Sequence, residues 1–276
     1  MSTGESFHSK HAAHYDRGAS GATLSIAKII VRDLPLPITD DSNILDSACG
    51  TGLVTAVIKS KYPTARILGS DIAPGMISIY EARAKENNWP SVSSAVLDVR
   101  DLKTLEDDTF SHVITNFGIM APTFQDKEAP LKVARETWRV LKSGGVSIIS
   151  TWAERNFDKA FEATALTIRP NEQPYSWDIG GDYCRGFYLM KQLEEAGFGS
   201  LVEVKSAKGK VEANSLDELV ENMMFFKDMF FKGYDDEELA RVPDILKEKV
   251  KALEKFKQTE DGVEIEMVAW IGVGWK

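Results

Sequence analysis

Between residues 44 and 152 short apolar runs alternate with longer amphipathic ones, and no other feature of the chain constrains its fold as tightly. Strands are expected at Ile44–Ala48, Arg66–Ser70, Ser93–Leu97, His112–Thr115 and Val146–Thr151, with helical patterns between them. Gly52–Tyr62 stops at Pro63, Pro74–Asn87 begins on a proline whose missing N–H costs nothing at a first turn, and Asp126–Lys142 carries Leu131, Ala134, Trp138 and Leu141 on one face before Gly144-Gly145. Strands alternating with helices require a mostly parallel sheet covered on both faces, an open, doubly wound α/β fold.

The second half reads differently. A helix at Phe157–Ile168 leads into the aromatic loop 170–177, followed by a helix at Gly186–Ala196, a strand at Leu201–Val211, long helical material over 215–259 and a closing strand at Val263–Trp275. We read a single domain over 1–276, with lid elements at about 1–34, 153–185 and 213–260.

Forty-two acidic against 33 basic residues give a net charge of −9, and a chain of that sign lacks the basic footprint of a nucleic-acid binder. Two distant cysteines, Cys49 and Cys184, support neither a disulfide framework nor a zinc module, so no metal is expected. The N-terminal stretch is polar, and no apolar run nears the roughly 18 residues of a membrane span. A soluble, cytoplasmic protein without membrane or nucleic-acid partners is expected; the sequence leaves its oligomeric state open.

The chemistry concentrates in Ile44-Leu-Asp-Ser-Ala-Cys-Gly-Thr-Gly-Leu-Val54. An apolar strand runs into Asp46, small residues follow at Ala48, Gly50 and Gly52, and a helix begins. Small residues let a ligand approach the backbone, and the new helix offers free N–H donors, so a nucleotide-like ligand belongs there. Position 53 is Leu, so the third glycine of the dinucleotide fingerprint is missing, and no Gly-Lys-Ser/Thr follows as in a P-loop. Asp46 would repel a pyrophosphate and favour a cation such as the sulfonium and ammonium of S-adenosylmethionine (SAM). Asp71 ends the next strand 19 residues after Gly52, where an acid accepts two ribose hydroxyls, although an acid there also serves as a helix cap.

Together with Gly69-Ser-Asp-Ile-Ala-Pro-Gly-Met-Ile77, Ala95-Val-Leu-Asp98, Phe110–Gly118 and Trp138–Val146, these motifs resemble a class I SAM-dependent methyltransferase over nearly the whole chain. The resemblance implies a Rossmann-like seven-stranded sheet with an antiparallel last strand. It implies that Asp98 takes the adenine amino group, Val99 gives a backbone contact, Ile72 and Met76 sandwich the adenine, and Asn116 and Phe117 lie beside the methionine portion. Tyr15 would close over the methionine carboxylate. Ala48 departs from the glycine usual there, which implies tighter packing rather than lost binding. Within the family the Asp-x-Ala-Cys-Gly turn, the exit of the fourth strand, Gly144–Trp152 and a helical lid with Met223-Met224 resemble fungal enzymes that S-methylate the dithiols of epidithiodiketopiperazine metabolites.

Methyl transfer from a sulfonium is an in-line displacement, in which the protein aligns donor and acceptor and excludes water. A thiol, with a pKa of about 8.5, ionises enough near neutrality that a dedicated base is optional; an alcohol needs one. No catalytic residue stands out among His8, His11, His14 and His112: His112 opens a sheet strand, and His11 and His14 read as surface of an N-terminal helix. The acceptor, a small hydrophobic molecule, is expected against Met120, Trp152, Tyr175, Trp177, Phe226 and Phe230, at strand ends and in the insertions above them. The Lys-rich stretch 247–257 reads as one solvated helix face. Thiol methylation of a secondary metabolite leads; O- or N-methylation of a quinone, phenol or amine, a binding protein without turnover and, more distantly, an NAD oxidoreductase remain as alternatives.

Overall fold

In a computed structural model, which describes residues 20–119, 126–176 and 184–276, the apolar runs become strands of one sheet. Five strands come from the first half: β1 (Asn43–Ser47), β2 (Arg66–Asp71), β3 (Val92–Val96), β4 (Phe110–Asn116) and β5 (Leu141–Glu154). All neighbours among them pair in parallel. β6 (Val202–Ala213), β7 (Phe256–Thr259) and β8 (Gly262–Trp275) complete the sheet in the order β3-β2-β1-β4-β5-β8-β6. β8 runs antiparallel to both β5 and β6. The first six residues of β4 are buried without alternation, as a strand covered on both faces must be.

Among the described residues seven strands form this continuous path, as expected, and an eighth, β7, pairs with β8 off it. β7 is a four-residue strand paired antiparallel to the start of β8, inside the stretch read as helix to 259. Glu260-Asp261 turn this hairpin between the paired Thr259 and Gly262, and Gly262 opens β8 at φ 146°.

The helices are α1 (Ser20–Arg32), α2 (Leu53–Lys61), α3 (Pro74–Glu86), α4 (Ala129–Val140), α5 (Asp158–Ile168), α6 (Gly186–Leu193), α7 (Leu216–Met223), α8 (Lys227–Phe230) and α9 (Asp236–Lys251). In α4 the buried stripe is Val133, Ala134, Thr137 and Val140, rotated from the face expected; Leu131 and Trp138 are only half-buried. Trp138 instead lies against Gly197 and takes the Lys276 ammonium 4.1 Å from its ring centre. α9 starts with a capping box between Asp235 and Glu238 and buries Val242, Leu246 and Val250, so the Lys-rich stretch is only partly helical. α9 packs on α5 and α7. Arg169, the C-cap of α5, grips Glu238 at the start of α9 through Nε at 2.7 Å and Nη2 at 2.6 Å. None of the described helices is long and apolar enough to cross a membrane.

Candidate active site

β1 delivers Asp46 and then turns through Ala48, Gly50 and Gly52, all with positive φ (55°, 53° and 87°), before α2 begins. The three small residues serve three different neighbours. A Cβ on Gly50 would meet nothing within 4 Å, so this is the position that opens onto free space. A Cβ on Gly52 would strike the Tyr80 ring at 2.7 Å, and one on Gly69 would strike the same ring. Gly52 is therefore small to seat Tyr80 beneath the turn rather than to admit a ligand. A Cβ on Gly118, after β4, would fall on the Ala48 methyl. Ala48 is thus accommodated by a glycine 70 residues away.

Asp46 is buried under this turn at 1% exposure. Its Oδ2 accepts from the Thr55 amide at 3.1 Å and the Thr55 hydroxyl at 2.7 Å, and that hydroxyl lies 3.2 Å from the Tyr80 hydroxyl. Its Oδ1 has no hydrogen-bond partner among the described residues. Burial, helped by the charge of Asp71 and opposed by Thr55, pushes its carboxyl up to about 7. Burial likewise raises the Cys49 thiol, whose neighbours include both acids.

Asp71 ties the two loops of the site together. Its Oδ2 accepts from the Gly50 amide and its Oδ1 from the Ala73 amide, both at 2.9 Å. The N-cap of α3 is Ala73, with Pro74 at the first turn, so Asp71 stands just outside the helix it was weighed as capping. Ile72 is half-buried, whereas Met76 is buried against Ala73 and Ile79. Asp98 is held by Arg100 through Nε at 3.0 Å and Nη2 at 2.6 Å. Burial alone would raise the Asp98 carboxyl, but these hydrogen bonds keep it below its ordinary value. Val99 is buried beside it.

Asn116 braces three elements: its amide donates to the Thr23 carbonyl of α1 at 3.1 Å, and its carbonyl accepts from Ser150 of β5 at 2.7 Å. Ser150 also accepts from the Phe117 amide at 3.0 Å, fixing a residue whose φ of 62° is unusual for a side chain of that size. Phe117 stacks on Trp152 with ring centres 3.9 Å apart, so the exits of β4 and β5 share one aromatic face. Phe226 stacks on Phe157, Phe230 stacks on Phe161, and Tyr175 meets Phe230 edge-on. Tyr175 and Phe230 also line a cavity of about 380 Å³ with Arg169, Met229 and Tyr234. That cavity is lined by none of the turn residues.

Tyr15, Met120, Trp177, His8, His11 and His14 lie outside the described residues. His112 is fully buried, with Nδ1 2.8 Å from the Ser111 hydroxyl and Nε2 3.0 Å from the Leu36 carbonyl, a structural arrangement. Among the described residues no grouping of His, Cys, Asp and Glu would hold a metal. Sequence reasoning passed over Thr55, Tyr80, Gly118, Ser150 and Arg100. Gly118 and Ser150 stood inside motifs already singled out.

Residues 44–145 match the family described as a methyltransferase domain, and they contain the turn, Asp71, Asp98 and the exit of β4. Over those residues the chain carries a methyltransferase domain. Among relatives of this methyltransferase, Methyltransferase ktnA of Aspergillus niger is 25% identical over 71% of this chain and 72% of its own. A malonyl-[acyl-carrier protein] O-methyltransferase of Acetivibrio thermocellus is 28% identical over 66% and 61%, and the acetylaranotin bis-thiomethyltransferase of Aspergillus terreus is 23% identical over 66% and 63%. The methyltransferase thus spans less than two thirds of the last two. A Haemonchus contortus N-methyltransferase solved with phosphomonomethylethanolamine and S-adenosylhomocysteine shares its fold, at a TM-score of 0.57 and 14% identity over all of this chain and 60% of that one.

The site fits a cationic cofactor. Two carboxyls, Asp46 and Asp71, stand close enough for the charge of one to raise the other, and a sulfonium or ammonium relieves that repulsion. Gly50 leaves the backbone approachable on the same side.

Proposed function

We propose that the enzyme transfers a methyl group from SAM to a thiol of a small, hydrophobic secondary metabolite. The observation that carries this reading is the stacked Phe117–Trp152 pair at the exits of β4 and β5, an apolar wall next to the acidic cofactor turn. Similarity to the acetylaranotin bis-thiomethyltransferase supports a small-molecule acceptor and sulfur as the receiving atom.

When bound, SAM supplies an electrophilic methyl group. The chain's own residues hold and orient it. Asp71 would take the ribose hydroxyls, Asp98 and Val99 the adenine edge, and Ile72 and Met76 the adenine faces. Asn116, Phe117 and Tyr15 would surround the methionine portion, over the backbone of Ala48, Gly50 and Gly52 and the charge of Asp46. Trp152, Tyr175, Phe226 and Phe230, with Met120 and Trp177, would enclose the acceptor and exclude water. The enzyme is proposed to act in the cytoplasm, on a small molecule rather than a nucleic acid or membrane, as one domain with its lid at about 1–34, 153–185 and 213–260.

O- or N-methylation is the second reading, favoured by the similarity to an O-methyltransferase and by the fold shared with an N-methyltransferase. Methyl-labelled SAM offered with benzyl mercaptan, p-cresol and benzylamine separates the two. Label on sulfur supports the first reading; label only on oxygen or nitrogen replaces it.

A further inference from the structure

Beyond Trp152 the carboxyl end of β5 leads into a charged cluster that the cofactor turn does not use. Arg155 and Asp158 have side chains only 8% and 13% exposed, with Nη2 of Arg155 3.0 Å from Oδ1 of Asp158. The guanidinium lies 5.0 Å from the Phe157 ring centre and 5.9 Å from that of Phe226. Tyr175 stands close enough for the charges of both residues to act on its phenol, which burial raises. An ion pair is therefore set into the same aromatic wall in which the acceptor is proposed to lie.

Such a pair contributes little net stability, because desolvating two charges offsets most of their attraction. Oδ1 of Asp158 makes no regular hydrogen bond among the described residues, although the group is nearly buried. Burial pushes its carboxyl up to about 6; Arg155 opposes the shift and Glu162, one turn along α5, adds to it. With Tyr175 beyond α5, these are the titratable groups that face it. α8 presents the apolar Phe230 to Phe161 and Tyr175, and no charged group of α8 or α9 among the described residues shifts Asp158. A shielded lone pair thus stands beside a cation four residues past the end of β5, at the side of the sheet where open α/β folds bind their ligands.

Resting on the thiol reading above, we propose that Asp158 is the base that takes the acceptor's S–H proton, and that Arg155 beside it holds the resulting sulfur anion. The S–H bond breaks, its electron pair stays on sulfur, and an O–H bond forms on the Asp158 carboxylate. The proton passes to water once the methylated product has left. A carboxyl raised toward neutrality is better matched to a thiol, at about 8.5, than an ordinary aspartate at about 3.9.

The test uses Asp158→Asn, with Asp158→Glu as the conservative variant and benzyl mercaptan as the acceptor. Wild-type kcat/KM for benzyl mercaptan should rise with pH through about 6 and then level off, because deprotonated Asp158 does the work. Asp158→Asn should lose that limb and fall by about 100-fold or more at pH 7, with S-adenosylhomocysteine affinity kept, and Asp158→Glu should recover part of the loss. Carboxyl-¹³C NMR of the S-adenosylhomocysteine complex should place the Asp158 titration near 6 and shift its signal when benzyl mercaptan binds beside it. A wild-type rate that keeps climbing tenfold per pH unit toward the thiol pKa, or an Asp158→Asn variant with the wild-type profile, overturns the role of Asp158. A wild-type enzyme that leaves benzyl mercaptan unmethylated, while the Asp158 carboxyl signal still shifts on thiol binding, overturns the transfer reading instead and leaves the thiol site at Asp158 standing.

Discussion

Asp71 accepts a hydrogen bond from the amide of Gly50 at 2.9 Å, joining the end of β2 to the turn that follows β1. The same carboxylate shapes the backbone opening and is the one proposed to hold the ribose. Asp71→Ala should weaken S-adenosylhomocysteine binding by about 1–3 kcal/mol through lost charge-assisted hydrogen bonds. Titration calorimetry checks this; unchanged affinity would place the adenosine elsewhere.

Asp46 sets a pH dependence on cofactor binding. Its carboxyl is raised to about 7, so below that pH the protonated acid must give up its proton before it can favour a cation. Affinity for SAM should fall by up to tenfold per pH unit below about 7 and level off above it, with proton release visible as a buffer-dependent binding heat at pH 6.5. The effect on folding has the opposite sign. A carboxyl whose folded pKa exceeds its unfolded value contributes most below the unfolded value, and that contribution is lost as pH rises through about 7. Asp46→Asn should therefore unfold at a higher temperature than wild type at pH 8, by up to about 4 kcal/mol of stability, while binding SAM less well. A lower melting temperature at pH 8 would contradict the buried, unpaired state of Oδ1.

Ala48 and Gly118 should behave as a coupled pair. Ala48 holds φ 55°, a left-handed conformation that costs a residue with a Cβ roughly 1–2 kcal/mol. Ala48→Gly should leave stability unchanged or raise it by up to about 1 kcal/mol. Gly118→Ala should destabilise by about 1–3 kcal/mol, because its methyl would fall on that of Ala48. The double variant should recover at least about 1 kcal/mol of that loss, as urea unfolding would show. Additive effects would mean that the two loops do not touch.

Trp152→Ala should raise the KM for a hydrophobic acceptor about tenfold and leave S-adenosylhomocysteine affinity within about twofold, since it removes one half of the Phe117–Trp152 stack without touching the turn. Equal losses for both ligands, measured by steady-state kinetics and calorimetry, would show Trp152 to be a general support of the fold.

The first half of the fold was legible because a parallel sheet leaves periodic traces: β1 to β5 fall within a few residues of their apolar runs. The turn after β1 was legible too, but the reason for each small residue was not. Gly52 answers to Tyr80, 28 residues on, and Gly118 answers to Ala48 across the sheet; neither pairing leaves a local pattern. The buried face of α4 was misread by part of a turn because Trp138 packs at the far end of β8, beside Lys276, rather than in the main core. The Arg155–Asp158 pair was invisible for a different reason: adjacent charges at a helix start look solvated until the aromatic rings of α5 and the segment after α7 are folded over them.

The account turns on where the methyl group goes. Incubating the purified protein with methyl-tritiated SAM and a small hydrophobic dithiol, and then identifying the labelled product by mass spectrometry, should give S-methyl thioether and an equal amount of S-adenosylhomocysteine. Label appearing on oxygen or nitrogen across a matched acceptor panel and never on sulfur, or no S-adenosylhomocysteine formed with any acceptor, would contradict it.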